Sequence, residues 1–225
     1  MNPLISEVTS YPFDRLRNLL GKSSPKKNKN DFINLSIGEP KQNSNKEILK
    51  ILKKNENLFS QYPPIESIRE LTDSYKTYLN KRFGVSKIEN ENILNLGGTR
   101  EGTFSVIQSL FNRSLKSKKP FIFMPNPFYQ IYGGASLFAG AISKHINLNE
   151  EKDFILDLDS ISESQWQKCQ LLIMCSPSNP TGSVMEKEEI LKVIKLSRKY
   201  NFYIVSDECY ICLLYTSPSP RDQLG

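Results

Sequence analysis

Leu171-Leu-Ile-Met-Cys-Ser-Pro-Ser-Asn-Pro-Thr-Gly182 and, one helix later, Phe202-Tyr-Ile-Val-Ser-Asp-Glu-Cys-Tyr210 decide the fold. Each stretch is a short apolar run that ends in a polar cluster. Apolar runs of this length, bounded by Pro and Gly, read as strands buried on both faces. Between them, Glu186 to Tyr200 reads as a helix. Acids stand at its start (Glu186, Glu188, Glu189) and bases at its end (Arg198, Lys199), the order the helix dipole favours. Two such strands in one open α/β sheet bring both polar clusters to a ligand crevice.

The same rhythm extends toward the N-terminus. Asn92-Ile-Leu-Asn-Leu96 reads as a strand, Gly97-Gly98 as a turn, and Thr99 to Phe111 as a helix with Phe104, Ile107 and Phe111 on one face. Pro120 to Met124 is a strand ending in Pro125-Asn-Pro127, Phe128 to Ala139 a helical segment, and Ala141 to Leu148 a strand. Short apolar strands alternating with amphipathic helices imply a mostly parallel sheet covered on both faces. Further upstream, Tyr11 to Leu20 reads as a short helix entered through Pro12. Ile33-Asn-Leu-Ser-Ile-Gly-Glu-Pro40 reads as a short strand broken at Gly38 and Pro40, and Ile65 to Phe83 as a helix. No internal repeat interrupts this order.

Composition narrows the function classes. The chain has 225 residues, 38% hydrophobic and 24% charged, which reads as soluble, with one core or one and a half domains. No apolar run reaches membrane-spanning length, and the start is not a secretory signal, so a cytoplasmic location is expected. The net charge is +6, yet its clearest cluster, Lys22 to Lys29, lies in a Ser/Pro/Asn-rich loop. A basic, anion-binding enzyme surface explains the charge better than a nucleic-acid face. Cys209 and Cys212 form a C-x-x-C, but Cys169 and Cys175 supply no second pair, and His145 is the only histidine. No metal site is expected; Cys175 reads as a buried thiol and His145 as structural.

The polar clusters carry the chemistry. Leu96-Gly-Gly-Thr-Arg-Glu101 is a strand–glycine–helix junction, where free N–H groups suit a phosphate, although a plain tight turn fits as well. It is neither a dinucleotide fingerprint nor a Walker loop. Asn126-Pro-Phe-Tyr-Gln-Ile-Tyr132 places aromatics just past a strand end. Tyr129 suits stacking on a planar ligand, and core packing of Phe128 and Tyr132 is an equal reading. Asn179 sits in a turn where it has its own backbone to bond. Asp207 closes a buried strand, and a buried carboxylate wants a cationic partner. A protonated ring nitrogen is such a partner, and Tyr210 would then donate to a phenolate oxygen on the same ring.

The order of these motifs resembles the class I/II aminotransferases, pyridoxal-phosphate enzymes of fold type I, over residues 4 to 211. The resemblance implies an α/β large domain with a mostly parallel sheet in an α/β/α sandwich, incomplete at its C-terminal side. It implies that Gly98, Thr99 and Arg100 hold the phosphate of pyridoxal 5'-phosphate and that Tyr129 stacks on its ring. Asn179 and Tyr210 would bond the phenolic oxygen, and Asp207 would pair with the ring nitrogen. Gly38 would lie against the substrate carboxylate. Tyr62 would reach the phosphate of a neighbouring subunit, which implies a homodimer. Partners would be small amino acids and keto or semialdehyde acids, with no nucleic acid and no membrane.

More narrowly, Tyr11 to Arg17, Tyr62-Pro-Pro64, Gly98 to Glu101, Pro125 to Tyr132, Cys169 to Leu172 and Ser206 to Tyr210 are similar to the N-succinyldiaminopimelate aminotransferases of lysine synthesis. That subgroup implies transfer from glutamate to N-succinyl-2-amino-6-oxopimelate. Aspartate, aromatic or alanine aminotransferases of the same fold remain alternatives, as does a non-catalytic ligand-binding relative. Two positions depart from the family pattern: Ser67, where Gly is usual, and Thr72, where Arg is usual.

The resemblance also implies a lysine, in a Ser-x-x-Lys context beyond Tyr210, that carries the cofactor as a Schiff base. This chain has no Lys after Lys199, so no catalytic residue is assigned and the chain is expected to be inactive. Cys212-Leu-Leu-Tyr-Thr-Ser-Pro-Ser-Pro-Arg-Asp222 leaves the family pattern and resembles a translated sequencing adaptor. The expected organisation is an N-terminal arm with part of a small domain (1–45), a partial cofactor-binding domain (46–211), and an adaptor-derived tail (212–225).

Overall fold

The computed structural model describes residues 4–5, 12–21, 38, 43–62, 68–114 and 120–212. The strand expected over 33–40 therefore lies outside the described residues except for Gly38, as do Ser67 and the tail beyond Cys212. The chain divides into two compact units, Thr9–Asn95 and Leu96–Gly225 with Met1–Val8.

The unit from Leu96 onward holds a four-stranded sheet in the order β2-β1-β3-β4, where β1 is Phe121–Asn126, β2 Ile142–Asn147, β3 Cys169–Cys175 and β4 Tyr203–Asp207. All three pairings are parallel: Phe121 lies opposite Ile142, Ile122 opposite Leu171, and Cys175 opposite Asp207. Successive strand residues point to opposite faces, so β1 and β3 feed two cores. Phe121, Phe123, Leu172 and Met174 face one, with Trp166, Val193 and Phe202. Ile122, Met124, Leu171 and Ile173 face the other, with Ile107, Tyr132 and Ala135. The second face is covered by α4 (Thr99–Leu110) and α5 (Ile131–Phe138); the first is covered by α6 (Glu163–Trp166) and α7 (Lys187–Tyr200). This is the layered α/β arrangement that the alternation of strands and helices predicts.

Local chemistry sets the element ends. Glu186 and Glu189 form a reciprocal capping box at the start of α7, and Asn201 ends it in the left-handed region at φ 54°. β1 runs two residues further than the apolar pattern suggests, through Pro125 and Asn126. By Pro125 the ladder to β3 has ended and only β2 flanks it, so the missing proline N–H breaks no second ladder.

One expected strand is absent. Residues 93–96 follow a short 3₁₀ turn (Asn90–Asn92) and join no sheet. Ile93 is extended (φ −123°, ψ 121°), but an extended segment becomes a strand only beside a second backbone in register. Leu94 and Leu96, whose apolar alternation suggested the strand, are exposed.

The other unit carries α1 (Pro12–Leu20), α2 (Lys46–Lys54), a 3₁₀ turn (Glu56–Ser60) and α3 (Arg69–Phe83). α3 ends at Gly84, in the left-handed region at φ 68°. α2 went unread in the sequence. Its signals are Asn45, whose side-chain oxygen accepts the Glu47 N–H at 2.9 Å, and the spacing of Ile48, Leu49, Ile51 and Leu52. No helix among the described residues is long and apolar enough to cross a membrane.

Candidate active site

The parallel pairing of β3 with β4 brings both polar clusters to one edge. Cys175 stands opposite Asp207, and the Ser176 N–H donates to the Asp207 carbonyl at 3.1 Å. The segment after β3 folds back on itself. Ser178 N–H donates to the Ser183 carbonyl (2.9 Å), Gly182 N–H to the Ser178 carbonyl (2.8 Å), and Met185 N–H to Ser176 Oγ (3.0 Å). Gly182 sits at φ 76°, a conformation that side chains beyond glycine rarely adopt. The Asn126–Pro127, Ser176–Pro177 and Asn179–Pro180 bonds are cis. This turn holds Asn179 so that its Nδ2 approaches the Tyr210 hydroxyl at 3.4 Å. Burial raises the Tyr210 phenol pKa, so the hydroxyl keeps its proton and can donate to an oxyanion.

Asp207, half-buried at the end of β4, has a donor on each carboxylate oxygen. Tyr132 O–H donates to Oδ2 at 2.6 Å, and Cys209 N–H donates to Oδ1 at 3.2 Å. Tyr132 is completely buried, and that burial, with Asp207 accepting its hydrogen bond, holds the phenol protonated. The Tyr132 ring meets the Tyr129 ring edge-on at 5.9 Å, and the Tyr129 hydroxyl accepts from Arg100 Nε at 3.0 Å. Arg100, Tyr129, Tyr132 and Asp207 thus form one connected run across the site. Core packing describes Phe128, which stacks on His145 at 5.2 Å. It also describes the Tyr132 ring, which is fully buried in the core, while the Tyr132 hydroxyl bonds Asp207. The sequence signal was there: a tyrosine in a buried position keeps its hydroxyl for a partner.

Gly98 N-caps α4 and, as glycine, offers no side chain to cap it. Gly98 is extended (φ 175°), so the glycine is not needed for its backbone angle. A Cβ there would lie 2.6 Å from Glu101 Oε2, the end of an exposed side chain able to give way, and at Gly97 it would meet nothing within 4 Å. Thr99 and Arg100 are exposed at the helix start.

Gly38 and Tyr62 belong to the unit Thr9–Asn95. Tyr62 is 98% exposed, and a Cβ at Gly38 would meet nothing within 4 Å. In that unit Thr72 is buried, with an Oγ1 that has no hydrogen-bond partner. A concavity of about 360 Å³ beside Lys76, Asn80, Lys81 and Ile88 holds none of the predicted site residues.

The site residues of the sheet-bearing unit fit pyridoxal phosphate. A helix start led by glycine suits a dianion. The Asn179–Tyr210 pair suits a phenolic oxygen, and Asp207, oriented by two donors, suits a ring N–H. Beside Asn179, Ser178 Oγ is buried without a hydrogen-bond partner, a further polar atom that sequence reading missed.

The pattern of the aminotransferase class I and II family matches residues 30–224. The chain belongs to this family. Class I and II aminotransferases are pyridoxal-phosphate dependent. Among relatives, a probable aspartate aminotransferase of Methanocaldococcus jannaschii is 33% identical over 82% of this chain and 48% of its own length. An LL-diaminopimelate aminotransferase of Natranaerobius thermophilus is 27% identical over 98% of this chain and 56% of its own. Among solved structures, an aminotransferase from Neisseria meningitidis Z2491 superposes with a TM-score of 0.83 at 36% identity, over 92% of this chain and 52% of that one. Aminotransferase AspB of Helicobacter pylori 26695 gives 0.81 at 33% identity, over 90% and 52%. The chain therefore spans about half the length of the relatives it matches.

Proposed function

We propose that this chain is the cofactor-binding half of an aminotransferase that moves an amino group from glutamate to a keto or semialdehyde acid. The observation that carries the reading is Asp207 at the end of β4, its carboxylate fixed by Tyr132 and Cys209, beside the Asn179–Tyr210 pair. Bound pyridoxal phosphate supplies an electron sink for the substrate's α-carbon. The protein's part is to bind and orient it. Gly98, Thr99 and Arg100 hold the phosphate at the start of α4. Tyr129 covers a ring face, Asn179 and Tyr210 bond the phenolic oxygen, and Asp207 keeps the ring nitrogen protonated. Gly38 lies against the substrate carboxylate, and Tyr62 reaches the phosphate of a second subunit in a homodimer.

The group that moves the α-proton is a lysine outside this sequence, which has none after Lys199. The chain alone therefore binds without turning over. We assign residues 1–45 to an arm and part of a small domain, 46–211 to the cofactor domain, and 212–225 to adaptor sequence. Reading the source locus past codon 211 tests this: the frame is expected to continue into Ser-x-x-Lys, and a native stop there refutes it.

For the acceptor we propose N-succinyl-2-amino-6-oxopimelate, in lysine biosynthesis in the cytoplasm. The relatives named LL-diaminopimelate aminotransferase support an acceptor built on a pimelate skeleton. The relative named as a probable aspartate aminotransferase supports oxaloacetate as the second reading. Amino-acceptor assays on the full-length enzyme decide. Turnover of oxaloacetate without turnover of the succinylated keto acid overturns the first choice.

A further inference from the structure

We propose that Tyr132 is a positioning residue which, through Asp207, makes the site prefer an aromatic ring bearing a protonated nitrogen over the same ring bearing carbon. The proposal rests on the cofactor-site reading above and deepens it.

The argument begins with how Tyr132 is held. It lies on α5, packed with Ala135, Ala139, Leu171 and Ile173 in one face of the core, and none of its surface is exposed. Its ring is therefore placed by the fold rather than by a loop, as a supporting group must be. Its hydroxyl points at Asp207 Oδ2 at 2.6 Å, while the Cys209 N–H holds Oδ1 at 3.2 Å. With one donor on each oxygen, the carboxylate cannot turn without losing a bond. Each oxygen still has acceptor capacity to offer a third donor.

The two donors hold the carboxylate in one orientation, so its remaining lone pairs are presented to a ring N–H at a fixed place. The phenol also remains a donor across the working pH range, because burial and the neighbouring carboxylate oppose its ionisation. A ring with carbon in place of nitrogen offers Asp207 no proton and meets only a desolvated anion. Tyr132 touches Tyr129 by its ring edge, and Tyr129 accepts from Arg100. The same packed run thus links the nitrogen end of the site to its phosphate end.

The test needs no lysine. The full chain is titrated with 4'-deoxypyridoxine 5'-phosphate, which lacks the reactive aldehyde, and with its benzene analogue, which has C–H in place of the ring nitrogen. The unsubstituted chain is expected to prefer the first. Tyr132→Phe is expected to cut that preference about ten-fold, the worth of one hydrogen bond to a charged group, and to leave affinity for the benzene analogue unchanged. Equal weakening of both ligands reduces Tyr132 to a packing role and overturns the proposal. So does an unchanged preference, which leaves the cofactor-site reading standing. Failure of the unsubstituted chain to bind either ligand overturns that reading and the proposal together. If circular dichroism shows Tyr132→Phe unfolded, 3-fluorotyrosine at position 132 keeps the ring and acidifies the donor. The preference must then shift, and an unchanged preference overturns the proposal.

Discussion

Replacing Asp207 by Asn separates the ligand role of this carboxylate from its structural role. The side chains are nearly the same shape, so the end of β4 is not reshaped. In the native protein Oδ2 accepts from Tyr132 at 2.6 Å and Oδ1 accepts from Cys209 N–H at 3.2 Å. An amide keeps one acceptor oxygen, so one of these two donors loses its partner. With Asp207 half-buried, the expected cost in stability is about 1–2 kcal/mol. The cost to the ligand is larger. A hydrogen bond to a charged group is worth about 1.5–3 kcal/mol, so affinity for 4'-deoxypyridoxine 5'-phosphate should fall by about 10- to 100-fold. Calorimetric titration reads the second number and urea unfolding the first. An affinity within two-fold of the parent would refute the assignment of Asp207 to a ring nitrogen. A loss of more than about 3 kcal/mol in stability, with weak binding of every ligand, would show the carboxylate to be structural.

Three further outcomes follow from the same structure. Trp166 is buried among Phe202 (5.3 Å, 12°), Phe123 (5.3 Å, 42°) and Tyr200 (6.2 Å, 12°), so Trp166→Ala should destabilise the chain by about 3–5 kcal/mol; a loss below about 1 kcal/mol in urea unfolding contradicts this core. Alkylation by iodoacetamide at pH 8 should reach exposed Cys212 first. Cys209 should follow, its thiol pushed up to about 12 by desolvation and the Asp207 charge. Cys169 is buried, and desolvation alone pushes its thiol up to about 12. The unfolded chain releases that proton near pH 9 while the folded chain retains it, so this thiol's stabilisation is complete below pH 9 and declines as pH rises toward 12. Mass spectrometry showing Cys169 labelled ahead of Cys212 in the native chain would contradict both statements. Borohydride reduction after incubation with pyridoxal phosphate should leave no single lysine stoichiometrically labelled; a label at one lysine of the unit beginning at Leu96 would assign it the cofactor-carrying role.

Much of this site is legible along the chain because its signals are local. Asn179 and Asp207 each end an apolar run, and the length of those runs and the helix between them suffice to predict parallel neighbours with both polar ends on one edge. The α4 start is equally local: a glycine pair before an amphipathic run. The misreading at 92–96 shows the limit of that logic. An apolar alternation states which residues prefer burial, but a strand also needs a second backbone in register, and sequence pattern does not supply one. Gly98 shows another limit. The glycine pair reads as a tight turn, yet Gly98 itself is extended and takes no left-handed backbone angle.

The sequence by itself determined the strands β1 to β4, the helices α4, α5 and α7, and the chemical types at the site. These depend on periodicity, caps and turn residues, which act over a few positions. Tertiary structure alone decided the strand order β2-β1-β3-β4 and the partner of Asp207. Tyr132 precedes Asp207 by 75 residues, and no local preference couples the two. They meet because α5 buries its apolar side against the face carrying Leu171, Ile173 and Val205. That packing sets the phenol against Asp207, with the Cys175 thiol beside it, and it turns a residue with the sequence of a core aromatic into part of the site.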